Sequence, residues 1–254
     1  IVLEAAHVTS GDGYIQNLNL QLHKGEILGI GGLANSGMHE IGRILFGIDP
    51  VAYGKVTHTK SGEAITSTAR AIAKRIGYVS KSRDTESIIL EASLRDNIVL
   101  PSLGRISRFG YITTGSEKRL AEEQIQSLKI KCTGDRQFCS EFSGGNKQKV
   151  AYGKWLAAGS DIIIMDCPTR GIDIGVKVSM YHLMYQLKKQ GIAVMFVSSE
   201  MPEVMGVADR IIVMCDGRIT GEVMAKETTQ NDILKYATSF ENKLGSQSQN
   251  NKEE

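Results

Sequence analysis

Short apolar runs separated by longer amphipathic stretches narrow the folds open to this chain more than any other feature. Ile162–Met165 and Ala193–Val197 carry no polar residue, and Arg210–Cys215 carries one at its start. Runs of this length without apolar–polar alternation read as strands buried on both faces. Helical patterns lie around them, at Gly145–Ala158, Val176–Gln190 and Pro202–Val207. Strands alternating with helices imply a largely parallel sheet covered on both sides. Arg218–Val223 reads as a hairpin partner for the strand before it, and a last helix is expected near Asn231–Phe240.

The first half adds a strand at Val2–Val8 and another at Leu18–Leu22, where Leu18, Leu20 and Leu22 share a face. After the turn Lys24-Gly25-Glu26 comes the buried run Ile27–Ile30, then a glycine-containing loop and a helix at about Met38–Phe46, ending near Gly47 and Pro50. Residues 51–80 mix short strands and turns and close on Ile76–Val79. From about Ile88 to Ser140 the pattern is helical, as at Gly115–Leu128, and reads as an inserted lobe. The expected organisation is one α/β domain over 1–244, with a core at about 1–87 and 160–244 and a helical lobe at about 88–159. Residues 245–254 are polar and read as a disordered tail. The opening Ile1-Val2-Leu3 has the look of a domain cut from a longer polypeptide.

Composition matters mainly for what it excludes. A formal charge of +2 does not point to nucleic acid or a charged membrane surface. No apolar run reaches membrane-spanning length. Cys132, Cys139, Cys167 and Cys215 show no paired metal-ligand spacing and are too few for a disulfide scaffold, so a reducing compartment is the default.

The chemistry-bearing stretches begin with Gly32-Leu33-Ala34-Asn35-Ser36-Gly37-Met38-His39, which has the frame of a phosphate loop between a strand and a helix. Backbone N–H groups of such a loop cradle phosphates, a Lys reaches the outer phosphates, and a Ser or Thr hydroxyl holds Mg²⁺. Here Met38 stands at the Lys position and His39 at the hydroxyl position. A unit charge near a phosphate is worth roughly 4 kcal/mol at about 4 Å and an effective dielectric of about 20. The cradle is therefore expected to keep its shape and lose its electrostatics.

Phe142-Ser143-Gly144-Gly145-Asn146-Lys147-Gln148 is a second candidate anion site, a Ser cap and two glycines opening a helix. Further on, Ile162–Met165 ends in Asp166, the carboxylate expected to help hold Mg²⁺. In ABC-type ATPase domains, which this stretch resembles, a general-base Glu is usual at the next position; here it is Cys167, and a thiol is a weak acceptor. Pro168-Thr169-Arg170-Gly171-Ile172-Asp173 forms the next turn. By the same resemblance, Ser199 after Ala193–Val197 stands where a His would contact the outer phosphate, and Lys81 after Ile76–Val79 where a Gln is usual. Tyr14 offers a ring for adenine at an awkward spacing. Trp155 reads as core, and Lys147 and Lys149 as a solvated helix face or part of a dimer surface.

These stretches, in this order, resemble those of ABC-type P-loop nucleotide-binding domains. The phrases FSGGNKQKVAYGKWLA, PTRGIDIGVK and VSSEMPEVMGVADRIIVMCDGRITGE are similar to the C-terminal ATPase half of fused bacterial sugar importers of the ribose/galactose class. GEILGIGGLANSG near the start agrees. The resemblance implies a mainly parallel core with antiparallel N-terminal strands and an inserted helical subdomain. It also implies ATP and Mg²⁺ as cofactors, and a peripheral place on the cytoplasmic face of a bacterial membrane. The implied partners are the other nucleotide-binding half, permease subunits and, indirectly, a solute-binding protein. Domains of this kind pair head to tail, each ATP lying between one domain's phosphate loop and the other's signature loop. The expected contacts are Gly32, Asn35, Ser36, Gly37, Met38 and His39 on one side, and Ser143, Gly144, Gly145, Asn146 and Asp173 on the other. The implied function is donation of the signature loop to ATP held by a partner half, with weak or absent hydrolysis at the chain's own site. Two alternatives stand beside it, a competent ATPase with atypical ligands and a non-catalytic regulatory module.

Overall fold

The structure, a computed structural model, describes residues 1–107 and 109–239. Its elements follow the apolar pattern closely. Strands β1 (Leu3–Ser10), β2 (Leu18–Leu22) and β3 (Ile27–Gly32) lead into helix α1 (Met38–Phe46). Then come β4 (Val51–His58), β5 (Glu63–Ala64), helix α2 (Thr68–Ala73) and β6 (Ile76–Val79). Helices α3 (Leu94–Val99), α4 (Leu103–Ile106), α5 (Thr114–Ser127) and α6 (Gly144–Ala157) follow. The chain ends as β7 (Ile162–Asp166), α7 (Ile174–Lys189), β8 (Ala193–Val197), α8 (Met201–Val207), β9 (Arg210–Cys215), β10 (Arg218–Met224) and α9 (Gln230–Ala237).

Two sheets form. The first is antiparallel, in the order β2-β1-β4-β5. The second, in the order β10-β9-β3-β8-β7-β6, is parallel except for the hairpin strand β10. Strands β6, β7 and β8 are buried along their whole length, which is why they lack alternation, whereas β2 alternates buried and exposed residues. Because β3, β8 and β7 are parallel neighbours, the loops leaving their C-terminal ends emerge side by side, the place where open α/β sheets bind ligands.

Helix α1 packs across β6, β7 and β8 and so holds the loop after β3 over those strand ends. Phe46 of α1 stacks on Tyr78 of β6 at 5.4 Å between centroids and meets Trp155 of α6 edge-on at 5.6 Å. Each such ring pair adds about 0.5–1.5 kcal/mol beyond its buried area. Trp155 is therefore core, as its place on an apolar helix face predicts. It lies so close under β6 that a Cβ on Gly77 would meet its Cγ at 2.8 Å. Helix α3 packs on both α5 and α6, tying the helices to one another.

Helix α2 lies where only strands and turns are expected. It is short, and Ser67 starts it by accepting a hydrogen bond from the Arg70 backbone N–H. The expected last helix ends at Ala237, and Phe240 and the polar tail at 245–254 lie outside the described residues. Among the described residues no helix is long and apolar enough to cross a membrane.

Candidate functional site at the strand ends and at the start of helix α6

The loop after β3 turns tightly and opens α1. Gly37 sits at φ +92°, a left-handed conformation that a side chain would strain, and a Cβ there would meet Ile15 Cδ1 at 2.7 Å. No side chain caps α1, so its first backbone N–H groups face the loop unsatisfied, the arrangement that holds an anion. Ser36 is buried with its Oγ unpartnered, folded back against Gly32. Asn35 is exposed, and its carbonyl oxygen accepts a hydrogen bond from the Tyr14 hydroxyl. The sheets thus bring Tyr14 to the loop despite its sequence spacing.

Met38 enters this site only through its backbone. Its side chain is 1% exposed and belongs to the hydrophobic core. His39 is one residue further on, at the first turn of α1, and its Nδ1 lies 2.6 Å from Asp166 Oδ1 at the end of β7. Asp166 is 1% exposed, and its Oδ2 faces the Tyr78 hydroxyl at 3.5 Å. Cys167 follows in the left-handed region at φ +45°, a costly position for a non-glycine residue. Its backbone N–H is held by the Val197 carbonyl at 2.9 Å. Its Sγ lies within 4.8 Å of the nearest Asp166 carboxylate oxygen and His39 ring nitrogen. Burial, reinforced by the neighbouring Asp166 charge, pushes the Cys167 thiol up to about 11. A thiol held that high is neutral near pH 7 and cannot act as the base a Glu would supply. His39, Asp166 and Cys167 each offer a ligand atom, all within 4.8 Å of one another. The Ser199 side chain is exposed.

The start of α6 is built differently. Ser143 takes extended backbone angles before the helix and makes no side-chain capping bond to it. Asn146 Nδ2 donates to Ser143 Oγ at 3.3 Å, and Asn146 Oδ1 accepts from the Lys131 backbone N–H. Arg83, in a π-helical turn at Arg83–Ser87, donates from Nη1 to the Gly144 carbonyl at 3.0 Å. Its Nε binds Asp84, and Asp84 also takes Lys147 Nζ at 3.3 Å. Lys147 is thus mostly covered rather than on a solvated face, and Lys149 donates to the Lys129 carbonyl. Gly145 packs on α7, where an added Cβ would meet Val176 Cγ2 at 2.8 Å. Asp173 caps α7 by accepting from the Val176 backbone N–H at 3.0 Å and is itself exposed. Ile174 beside it is 80% exposed. Arg83 and Asp84 escape sequence reasoning because 61 residues separate Arg83 from the carbonyl it holds. Among the described residues no hydrogen bond links this loop to the one after β3.

Comparison with known proteins agrees with this geometry. The family profile described as ABC transporter matches residues 15–170. The ribose import ATP-binding protein of Halalkalibacterium halodurans is 40% identical over 238 residues, covering 94% of this chain and 48% of that protein. Its counterpart in Bacillus licheniformis is 37% identical over the same length and coverage. The chain therefore spans about half the length of the curated relatives it matches. Among solved structures, an ATP-binding cassette dimer in a post-hydrolysis state bound to ADP and Pi superposes with a TM-score of 0.76 at 22% identity. That match covers 88% of this chain and 98% of the other, and supports the fold.

Proposed function

The chain belongs to the ABC transporter family, and from that premise we propose that it is the degenerate nucleotide-binding half of a sugar importer, serving ATP turnover through its signature loop. ATPase domains of this family bind ATP with Mg²⁺. The backbone cradle from Gly32 to Met38 suits a triphosphate, with free N–H groups at the start of α1. The ion position does not suit Mg²⁺, which takes oxygen ligands in near-octahedral geometry. An imidazole stands for the hydroxyl, a thiol for the Glu, and Met38 brings no charge to the phosphates.

One observation carries the proposal, the contrast between these substitutions and the signature loop. Ser143, Gly144, Gly145 and Asn146 remain together at the start of a 14-residue helix whose N-terminal N–H groups are uncapped by any side chain. Paired head to tail, this loop clamps the γ-phosphate of ATP bound by another domain, where preorganised N–H donors stabilise transferring charge. Asp173 and the exposed Ile174 lie next to it on α7, as a face that meets a second domain requires. The relatives named for ribose import support sugar uptake as the process. Permease subunits, an indirectly coupled solute-binding protein and a peripheral place on the cytoplasmic membrane face complete the reading. Nucleic acid has no part in it.

The test is ATP hydrolysis by the full two-domain protein. Ser143→Arg abolishes most transport-coupled turnover, and Met38→Lys leaves it nearly unchanged. The opposite pattern refutes the assignment and favours a competent site with His39 and Cys167 as working ligands.

A further inference from the structure

The substitutions that spoil the Mg²⁺ site do not leave it empty of chemistry. Asp166 is a buried carboxylate with an imidazole and a thiol beside it. His39 Nδ1 lies 2.6 Å from one of its oxygens, and the Cys167 thiol of the following residue lies within 4.8 Å of both. An imidazole, a carboxylate and a thiol thus converge from three directions on one small volume, their ligand atoms within 4.8 Å of one another. They come from two rigid elements, the first turn of α1 and the end of β7.

We propose that His39, Asp166 and Cys167 form a three-ligand site for Zn²⁺ at the mouth of the phosphate loop. Nitrogen, oxygen and sulfur together are the donor set of zinc rather than of magnesium. In a tetrahedral zinc site, ligand atoms lie roughly 3.3–3.7 Å apart, given metal–ligand lengths of about 2.0–2.3 Å. The metal enters by opening the short His39–Asp166 contact, which rotation of the two side chains accommodates. The Cys167 thiol gives its proton to solvent and binds as thiolate, while neutral His39 binds through Nδ1 and carries its remaining proton on Nε2.

The surroundings supply the outer support such sites use. The Tyr78 hydroxyl stands at the second Asp166 oxygen, 3.5 Å away. The left-handed turn at Cys167 also gains a purpose, since it turns Sγ toward the other two ligands. His39 keeps a 15% exposed side chain and Cys167 is only partly buried, so the site is reached from the cleft and a fourth position stays open. Three protein ligands and one open position describe a reactive or exchangeable zinc site, not a closed structural one.

Nothing in this inference depends on which domain hydrolyses ATP, and its test uses no nucleotide. The purified chain, stripped of metal and kept reduced, is titrated with Co²⁺ and then with Zn²⁺ against a chromophoric chelator. The expected result is one ion per chain, a thiolate-to-cobalt charge-transfer band with tetrahedral d–d absorption, and displacement of Co²⁺ by Zn²⁺ but not by excess Mg²⁺. Cys167→Ala and His39→Ala each weaken Zn²⁺ binding by more than ~100-fold, beyond the roughly 10–100-fold that an outer supporting residue commands. Cys132→Ser leaves it unchanged. Absence of the charge-transfer band in the unmodified chain overturns the proposal without requiring any variant to fold. So does Zn²⁺ affinity that is the same with and without Cys167.

Discussion

The start of α6 and the strand-end site hold their polar groups in opposite conditions. At α6 the helix opens on Ser143 with no side chain capping it, and the neighbours that touch the loop, Arg83 and Lys131, leave its N-terminal N–H groups free. At the strand ends the side chains have turned on each other, with His39 against Asp166, Cys167 beside both and Met38 withdrawn into the core. An anion-binding loop works when its donors are organised but unsatisfied, because the ligand then completes them. Side chains already satisfied by one another must first be separated. A single fold thus keeps both helix starts uncapped for an anion while the side chains at the ion position of one of them close on each other.

The sharpest way to break that comparison is Gly145→Val. The new side chain collides with Val176 and displaces the loop, so turnover by the two-domain protein falls on the order of 10²-fold, the usual loss when a preorganised donor moves. Unchanged turnover would mean the loop has no part in it. Next is the thiol, in metal-free protein. With Cys167 raised to about 11, alkylation by iodoacetamide near neutral pH is on the order of 10²-fold slower than for a free cysteine, and it accelerates only as pH climbs toward 11. The same shift has a sign for stability. The folded chain holds this proton while the unfolded chain releases it at the ordinary thiol value of 9.0, so stability falls as pH rises between the two. Rapid alkylation at pH 7 would show an open, working site.

A smaller effect sharpens the other side. Met38→Lys places an amine in the core and costs about 1–3 kcal/mol, read as a lower melting temperature with no gain in turnover. The smallest is Asp173→Ala. Loss of the α7 cap costs ~1 kcal/mol and lowers Tm by roughly 2–4 °C.

Much of the fold is written in burial. Strands β2, β6, β7, β8 and β9 and helix α1 have the bounds their apolar patterns predict, because wholly buried runs and strict alternation leave little freedom. Helix α2 escapes because six residues with one cap carry too little periodicity. Of the site, the loops themselves are legible as strings of glycine, serine and acid. What those strings cannot carry is orientation. Met38 reads as an uncharged stand-in at the Lys position, and only packing shows it in the core. Cys167 reads as an isolated thiol because metal-ligand spacing is sought within a few residues. Its partner His39 is 128 positions earlier, brought near by the crossing of α1 over β7. Arg83 and Asp84 carry no motif at all and become visible only where the π-helical turn meets Gly144 and Lys147.

Whether this chain lends its signature loop without hydrolysing at its own phosphate loop is decided by removing one carboxylate at a time. Steady-state ATP hydrolysis of the proposed two-domain protein is measured with Asp166→Asn in this half, and with the matching substitution in the other. Asp166→Asn is expected to leave turnover within about twofold, whereas the matching change costs at least the ~10²-fold typical of a lost catalytic group. Loss of turnover from Asp166→Asn with little effect from its counterpart would contradict the proposed role of the signature loop.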